Sequence, residues 1–530
     1  MKRLISLILA ISVLTATGCT SVTGTSSTDV TASDTALTAD TGYNKYFQAD
    51  KVIDIKITLP EDEYQDMLNN AKDEEYKSAD LTFDSTSIEN VGFRTKGNLT
   101  LNSVASSDSD RYSFRIKLDK YVDGQTLDGL DEFVINNMYS DASYMREFLS
   151  YEALRSIGVD VPQCVFANIY INDELKGLYL CVEAIDESYI DRVFGNTDGN
   201  LYKAEMGSSL VYKENDSYES LELKMGSDES KTGLKNMIKT LNSIENGNKG
   251  NIEQVLDVDS ALKYIAFNYV FCNYDSYLGS NQQNYYLYEN NGVFSVIPWD
   301  FNMSMGGMGR GERGASLDMP VSSQEQDSFP LVTKLLSVDE YKERYYGYVE
   351  ALLDYCSEAE DRIAEIKELI YDDVKADPTK FCTLEDFEKA TTYSEETDNT
   401  DTMPQGDNGT PPQKPEGDNG TPPQRSENDG ATPPQRPEDD GSVPPQRPEG
   451  DNITPPQRDN GNNPEFTPDQ GTTADKSDEN NTASAADNSR PTPPQNGGRG
   501  HNGMMQNNTS SIVSFVKNQL ESISAELASK

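Results

Sequence analysis

Residues 52–59 (VIDIKITL) alternate apolar and polar side chains, the period-two pattern of a half-buried strand. Pro60 and three acids then open a helix, because proline and negative charge suit a first turn. Further strands are expected at 81–83, 91–96, 112–118 and 133–136, with a Ser-rich connection at 97–110. Residues 141–157 take helical periodicity, closed by Gly158 as the residue after the C-cap. Segments 165–171 and 178–182 read as a hairpin turning near Asn172-Asp173. Strands with one helix inserted predict an α+β, β-rich N-terminal half.

From about 230 the pattern turns helical, at 230–244, 252–256 and 260–271. A hairpin is expected from 283–288 and 293–297 around Asn290-Asn291-Gly292. After Pro298-Trp299-Asp300-Phe301-Asn302 comes a Gly/Met-rich loop to Gly314. It lacks the strand before and helix after that a nucleotide fingerprint requires. Residues 337–375 are one long helix with Ser337 as N-cap, and 384–389 a short one.

Residues 395–509 break every periodicity. They repeat an 11-residue unit, beginning TPPQKPEGDNG at Thr410, too short and too polar to pack as a solenoid. A disordered, extended Pro/Gly/Asp/Asn-rich insertion is expected, acting as a spacer, with its threonines as candidate phosphoacceptors. Residues 510–530 then resume an amphipathic helix, whose stripe of Ile512, Phe515, Val516, Leu520 and Ile523 is expected to dock back on the fold.

Charge and rare residues narrow the chemistry. A net charge of −45 excludes a nucleic-acid binder, which needs a basic footprint. The single histidine, His501, lies in the repeat tract, so His-based triads and zinc sites are excluded from the folded part, and any metal must take oxygen ligands. Five of the six cysteines sit in apolar or mixed runs without CxxC spacing, as buried thiols would. The sixth, Cys19, ends residues 1–19: a basic start, an apolar run to Leu14 and Ala16-Thr17-Gly18. This reads as an export signal with a lipidation site, plain secretion being the alternative, and 20–44 as a flexible tether.

The chemical signal is Asp275, followed by Asn281 and Asn284, a hairpin, and Asp300. Phosphoryl transfer from ATP needs an acid to orient the attacking hydroxyl, and an acid with an amide to hold Mg²⁺ against the phosphates. Acids and amides also crowd ordinary turns, so spacing alone leaves both readings open.

Seven segments in order add a resemblance: FRTKGN (93–98), SFRIKLDKY (113–121), residues 127–154, GLYLCVEAID (177–186), NLYK (200–203), NYDSYLGSNQQNYYLY (273–288) and PWDFN (298–302). Together they resemble the CotH (spore-coat protein H) kinase family, over about 45–394. The resemblance implies a two-lobed, atypical protein-kinase-like fold, with a β-rich N-terminal lobe and a mostly helical C-terminal one. It implies Asp275 as catalytic base, and Asp300 with Asn281 (or Asn284) as metal ligands. Lys117 would meet the ATP phosphates, paired with Glu147 or else Glu152. Arg94 and Lys96 are further phosphate contacts, and Glu183 to Ile185 mark an interlobe hinge meeting adenine by backbone bonds. ATP and Mg²⁺ (or Mn²⁺) are the implied cofactors, and Ser/Thr of secreted, surface or spore-coat proteins the acceptors. A related adenylyl transfer and a non-catalytic adhesin or assembly scaffold are the alternatives. The expected location is the outer face of the membrane, anchored at Cys19, or secreted, with cell-wall contact through the repeats.

Overall fold

The alternation of Ile53, Ile55 and Ile57 turns one face of β1 (Val52–Thr58) into a core. That core is the inside of a closed barrel. Its other strands are β2 (Lys77–Phe83), β3 (Thr86–Lys96), β4 (Ser113–Lys117), β5 (Glu132–Asn136), β6 (Cys164–Ile171) and β7 (Glu174–Glu183). The order is β1-β2-β3-β4-β5-β7-β6, closed by parallel pairing of β1 with β6. Phe93, Phe114, Phe133 and Tyr179 fill the interior. The structure is a computed structural model that describes residues 42–307, 315–321, 325–395 and 508–530. The expected signal and lipidation site at 1–19, most of the 20–44 tether, residues 308–314 and nearly all of the 395–509 tract, His501 included, lie outside the described residues.

Helix α1 (Glu61–Asn69) follows β1, and α2 (Leu99–Val104) interrupts the Ser-rich connection, where only a loop was expected. Its serines bond back along the helix, Ser103 Oγ donating to the Leu99 carbonyl at 2.8 Å. Helix α3 (Arg146–Ser156) starts later than the periodicity suggests. Asp141 sits in the turn before it and accepts the Arg146 N–H at 3.0 Å, so the preceding residues are cap rather than helix. Gly158 follows with φ +69°, the left-handed conformation expected of it.

The outer face of β5, β6 and β7 joins a second core through Val134, Phe166, Leu180 and Val182. Phe148 of α3 stacks on Phe166 at 4.8 Å. After α4 (Glu187–Phe194), β8 (Asn200–Ala204) and β9 (Leu221–Met225) pair with the hairpin β10 (Tyr285–Asn290) and β11 (Val293–Pro298), in the order β11-β10-β8-β9. The second half is therefore not simply helical; NLYKA of β8 does not alternate, so no strand period marks it. Around that sheet pack α5 (Thr232–Asn242), α6 (Val258–Val270), α7 (Pro330–Leu335), the 38-residue α8 (Asp339–Ala376), α9 (Leu384–Ala390) and α10 (Ile512–Leu527). The architecture is α+β.

A buried ion pair joins the two cores. Arg111, before β4, makes a fully buried ion pair of 2.9 Å with Asp377 at the end of α8. Within the second core, helix α10 lies along α8, burying Ile512, Val513, Val516 and Ile523. Among the described residues, no helix is long and apolar enough to cross a membrane.

Candidate active site

Helix α6 ends at Val270, and the chain turns through Cys272, Gln282 and Asn284, all at positive φ. Gly279 closes this turn against the Tyr274 carbonyl, leaving no room for a Cβ. The turn folds the amides back on Asp275: Gln283 Nε2 donates to Asp275 Oδ1 at 2.7 Å, and Asn284 Nδ2 to the Asp275 carbonyl at 2.8 Å. Burial, and then the charge of Asp300, push the Asp275 carboxyl above the ordinary range, while Gln283, Asn284 and Asn281 pull it back.

Asp300 leaves β11 at φ +62°, a left-handed conformation that Asp tolerates better than most residues. Its neighbours anchor it. Trp299 packs edge-on to Tyr286 at 6.1 Å, and Phe301 sits edge-on between Tyr151 and Phe267 at 5.5 and 4.9 Å. The backbone turn, rather than side-chain flexibility, therefore aims the carboxylate.

Lys96 ends β3, and its ammonium donates to Asn136 Oδ1 at 3.0 Å. Asn136, the last residue of β5, donates from Nδ2 to Glu147 Oε2 at 2.8 Å, and Tyr151 OH reaches Glu147 Oε1 at 3.3 Å. An amide thus bridges the half-buried cation and the buried acid. Burial pushes Lys96 below the usual lysine range, against the pull of Asp300. Burial, then the Asp300 charge, push Glu147 up to about 7, opposed by Asn136 and Lys96.

All of these groups line one cleft of about 1020 Å³, bounded by the barrel on one side and by the four-stranded sheet and the Asp275 turn on the other. Asp275, Asn281, Asn284, Asp300, Lys96, Glu147, Arg94 and Lys117 all border it. Arg94 is tied to Glu74 and to the Thr95 carbonyl, and stacks over Tyr76.

Two expected pairings are not made. Lys117 does not meet Glu147; it pairs with Asp119 at 3.1 Å and Glu132 at 3.8 Å. The antiparallel register explains this: Lys96 stands opposite Ser113, whereas Lys117 stands opposite Gly92 and Glu132, at the far end of the strand pair. Glu152 is no rival for that role, since it holds Arg362 at 2.7 Å. Of the expected hinge, Ala184 and Ile185 border the cleft and Glu183 does not. Its carboxylate is fully buried against Arg192 at 2.5 Å, and its backbone N–H bonds to the Gln163 carbonyl. Asp186 and Glu187 extend that border.

Sequence reasoning missed Asn136, Arg115, Lys203 and Lys224 at this site. Asn136 stood in a quoted segment, but nothing local distinguishes it from its neighbour Asn137, which instead bonds back to the Arg111 carbonyl. Six cations line the cleft beside ten acids, so phosphate bound here needs divalent cations as well as Lys96. Among the described residues no three acids, histidines or cysteines form a self-contained metal cage. Asp300 and an Asn side chain offer the hard oxygen donors that Mg²⁺ takes from protein when phosphates complete its shell, so the residues fit that ion.

Residues 93–403 match the family described as CotH kinase protein. Inner spore coat protein H of Bacillus subtilis (strain 168) is 29% identical over 279 residues, covering 50% of this chain and 75% of the relative.

Proposed function

The chain belongs to the CotH kinase family, and from that premise we propose that it is an ATP-dependent protein kinase acting on Ser or Thr of exported, surface or spore-coat proteins. The observation that carries the reading is the meeting of Asp275, Asp300 and the Lys96–Asn136–Glu147 relay in one cleft. On this reading the barrel is the β-rich lobe of an atypical kinase fold, and the second core is the other lobe.

Asp275 receives and orients the acceptor hydroxyl. The amides of Gln283 and Asn281 favour its ionised form, which a proton acceptor requires. Asp300 and Asn281 would hold Mg²⁺ or Mn²⁺. Lys96, in place of Lys117, contacts phosphate oxygens, and Asn136 keeps its ammonium aimed while Glu147 fixes Asn136. ATP, when bound with its metal ion, supplies the transferable phosphoryl group and the charge neutralisation. Residues 184–187 border the end of the cleft suited to the base. The name of the Bacillus relative supports an exported or surface setting, with Cys19 as the lipid anchor and the repeats as a spacer towards the cell wall.

The test is incubation with γ-labelled ATP, Mg²⁺ or Mn²⁺ and dephosphorylated casein. Labelling of the acceptor by wild type, lost in Asp275→Asn and Asp300→Ala, is expected. Equal labelling by wild type and Asp300→Ala sinks the reading, and labelling from α-labelled ATP alone would assign adenylyl transfer instead.

A further inference from the structure

Residues 508–530 lie beyond the family match, which ends at 403, and rejoin the fold only after residues 396–507. Their contacts nevertheless fall on the three segments that carry the site. The first is the start of α3, next to Glu147. Asn508 exchanges backbone hydrogen bonds with Ser140 and Ala142, and Arg146 Nη2 donates to the Ser510 carbonyl at 3.3 Å. The second is the approach to Asp275, where Gln519 Nε2 donates to the Val270 carbonyl at 2.8 Å and to Cys272 Sγ at 2.9 Å. Val270 ends α6, so Gln519 satisfies a carbonyl that has no partner within the helix. The third is the chain after Asp300. Asn508 Nδ2 reaches the Gly306 carbonyl at 3.5 Å, and the Met305 N–H bonds to the Phe271 carbonyl at 2.6 Å, locking the second and third segments together.

A docking helix chosen only for stability needs its apolar stripe on α8 and nothing more. Here the polar residues of the same element take up backbone groups at the very turns that set Asp275, Glu147 and Asp300. We propose that residues 508–530 are a detached positioning element of the active site, with Gln519 as the positioning residue for the Asp275 turn. This rests on the reading of the cleft as catalytic. The element acts on the turnover step: among the described residues none of its hydrogen bonds or ion pairs reaches a residue lining the cleft, and a misplaced Asp275 costs rate rather than ATP affinity.

The test uses the full chain carrying an engineered protease site within 396–507. After cleavage, the 508–530 fragment stays with the body through gel filtration, and phosphate transfer persists. In a cleaved Val516→Asp chain the fragment is released. Transfer then falls about tenfold or more, and the emission of Trp299, the only tryptophan and a cleft residue, shifts. A synthetic 508–530 peptide of wild-type sequence restores both. In the intact chain, Gln519→Ala lowers kcat about fivefold or more, with KM for ATP unchanged and a Trp299 shift in the same direction.

Unchanged kcat and Trp299 emission in Gln519→Ala overturn the proposal. So does a released body that keeps transfer, or peptide that rebinds and restores neither signal. Absence of transfer in the intact wild type instead overturns the kinase reading, and the Trp299 arm still reports on positioning.

Discussion

Lys96 reaches Glu147 through Asn136: the ammonium donates to Oδ1 at 3.0 Å, and Nδ2 of the same amide donates to Glu147 at 2.8 Å. One side chain therefore serves a half-buried ammonium and a buried carboxyl. Removing it takes a hydrogen-bond partner from each, leaving Glu147 with Tyr151 and Lys96 with the field of Asp300. Asn136→Ala should reduce phosphate transfer about tenfold or more, with a rise in KM for ATP. Asn136→Asp, which keeps the acceptor but repels Glu147, should do the same.

The register of the strands separates two lysines that look alike in the chain. Lys96→Met should lower transfer about a hundredfold or more, as loss of a group aimed at transition-state charge does. Lys117→Met should change it by less than about fivefold, since Lys117 is half-exposed and spent on Glu132 and Asp119. Steady-state kinetics on the two variants decide between these sites. Equal losses would return Lys117 to the phosphate role.

Glu147 carries a pH signature. Its carboxyl is pushed up to about 7, so between its ordinary value of 4.5 and about 7 the folded chain binds a proton that the unfolded chain does not. The stability it contributes is whole below 4.5 and is lost as pH rises through about 7. Glu147→Gln mimics the protonated form and should lack this decline. Thermal melts from pH 5 to 8 should show the variant gaining on wild type as pH rises.

Arg111 and Asp377 are each fully buried, and each is the other's counter-charge across the two cores. Asp377→Asn leaves the guanidinium without its partner and should destabilise the fold by about 3–5 kcal/mol in denaturant titrations. The loss should appear with and without nucleotide, since neither residue borders the cleft.

Gly279 tests the turn itself. An added Cβ would meet the Tyr274 carbonyl, so Gly279→Ala must displace the backbone beside Asp275. A stability loss of about 1–3 kcal/mol is expected, with a larger fall in transfer than the melt explains.

Much of this molecule was written locally. Alternation announced β1 and the hairpin of β10 and β11, because strand pattern and turn chemistry depend on neighbours in the chain. Asp275 and Asp300 were legible only in part: spacing left each open as a site or an ordinary turn, and the seven ordered segments singled them out. β8 and α2 were not legible, because NLYKA does not alternate and the six residues of α2 are too polar to show a stripe; LELKM of β9 does alternate, a signal that sequence reasoning missed.

What tertiary structure decided was the pairing of charges. Lys96, Ser113 and Asn136 gather at one end of β3, β4 and β5, while Lys117 and Glu132 gather at the other, roughly 13 Å away at 3.3 Å per residue. Glu183 meets an arginine presented by the next helix, and Glu152 one presented by α8. Each of these choices follows from strand register and helix packing, which sum many weak contacts over the whole chain. The sequence by itself therefore determined which residues could do chemistry, and the closure of the barrel determined which of them meet.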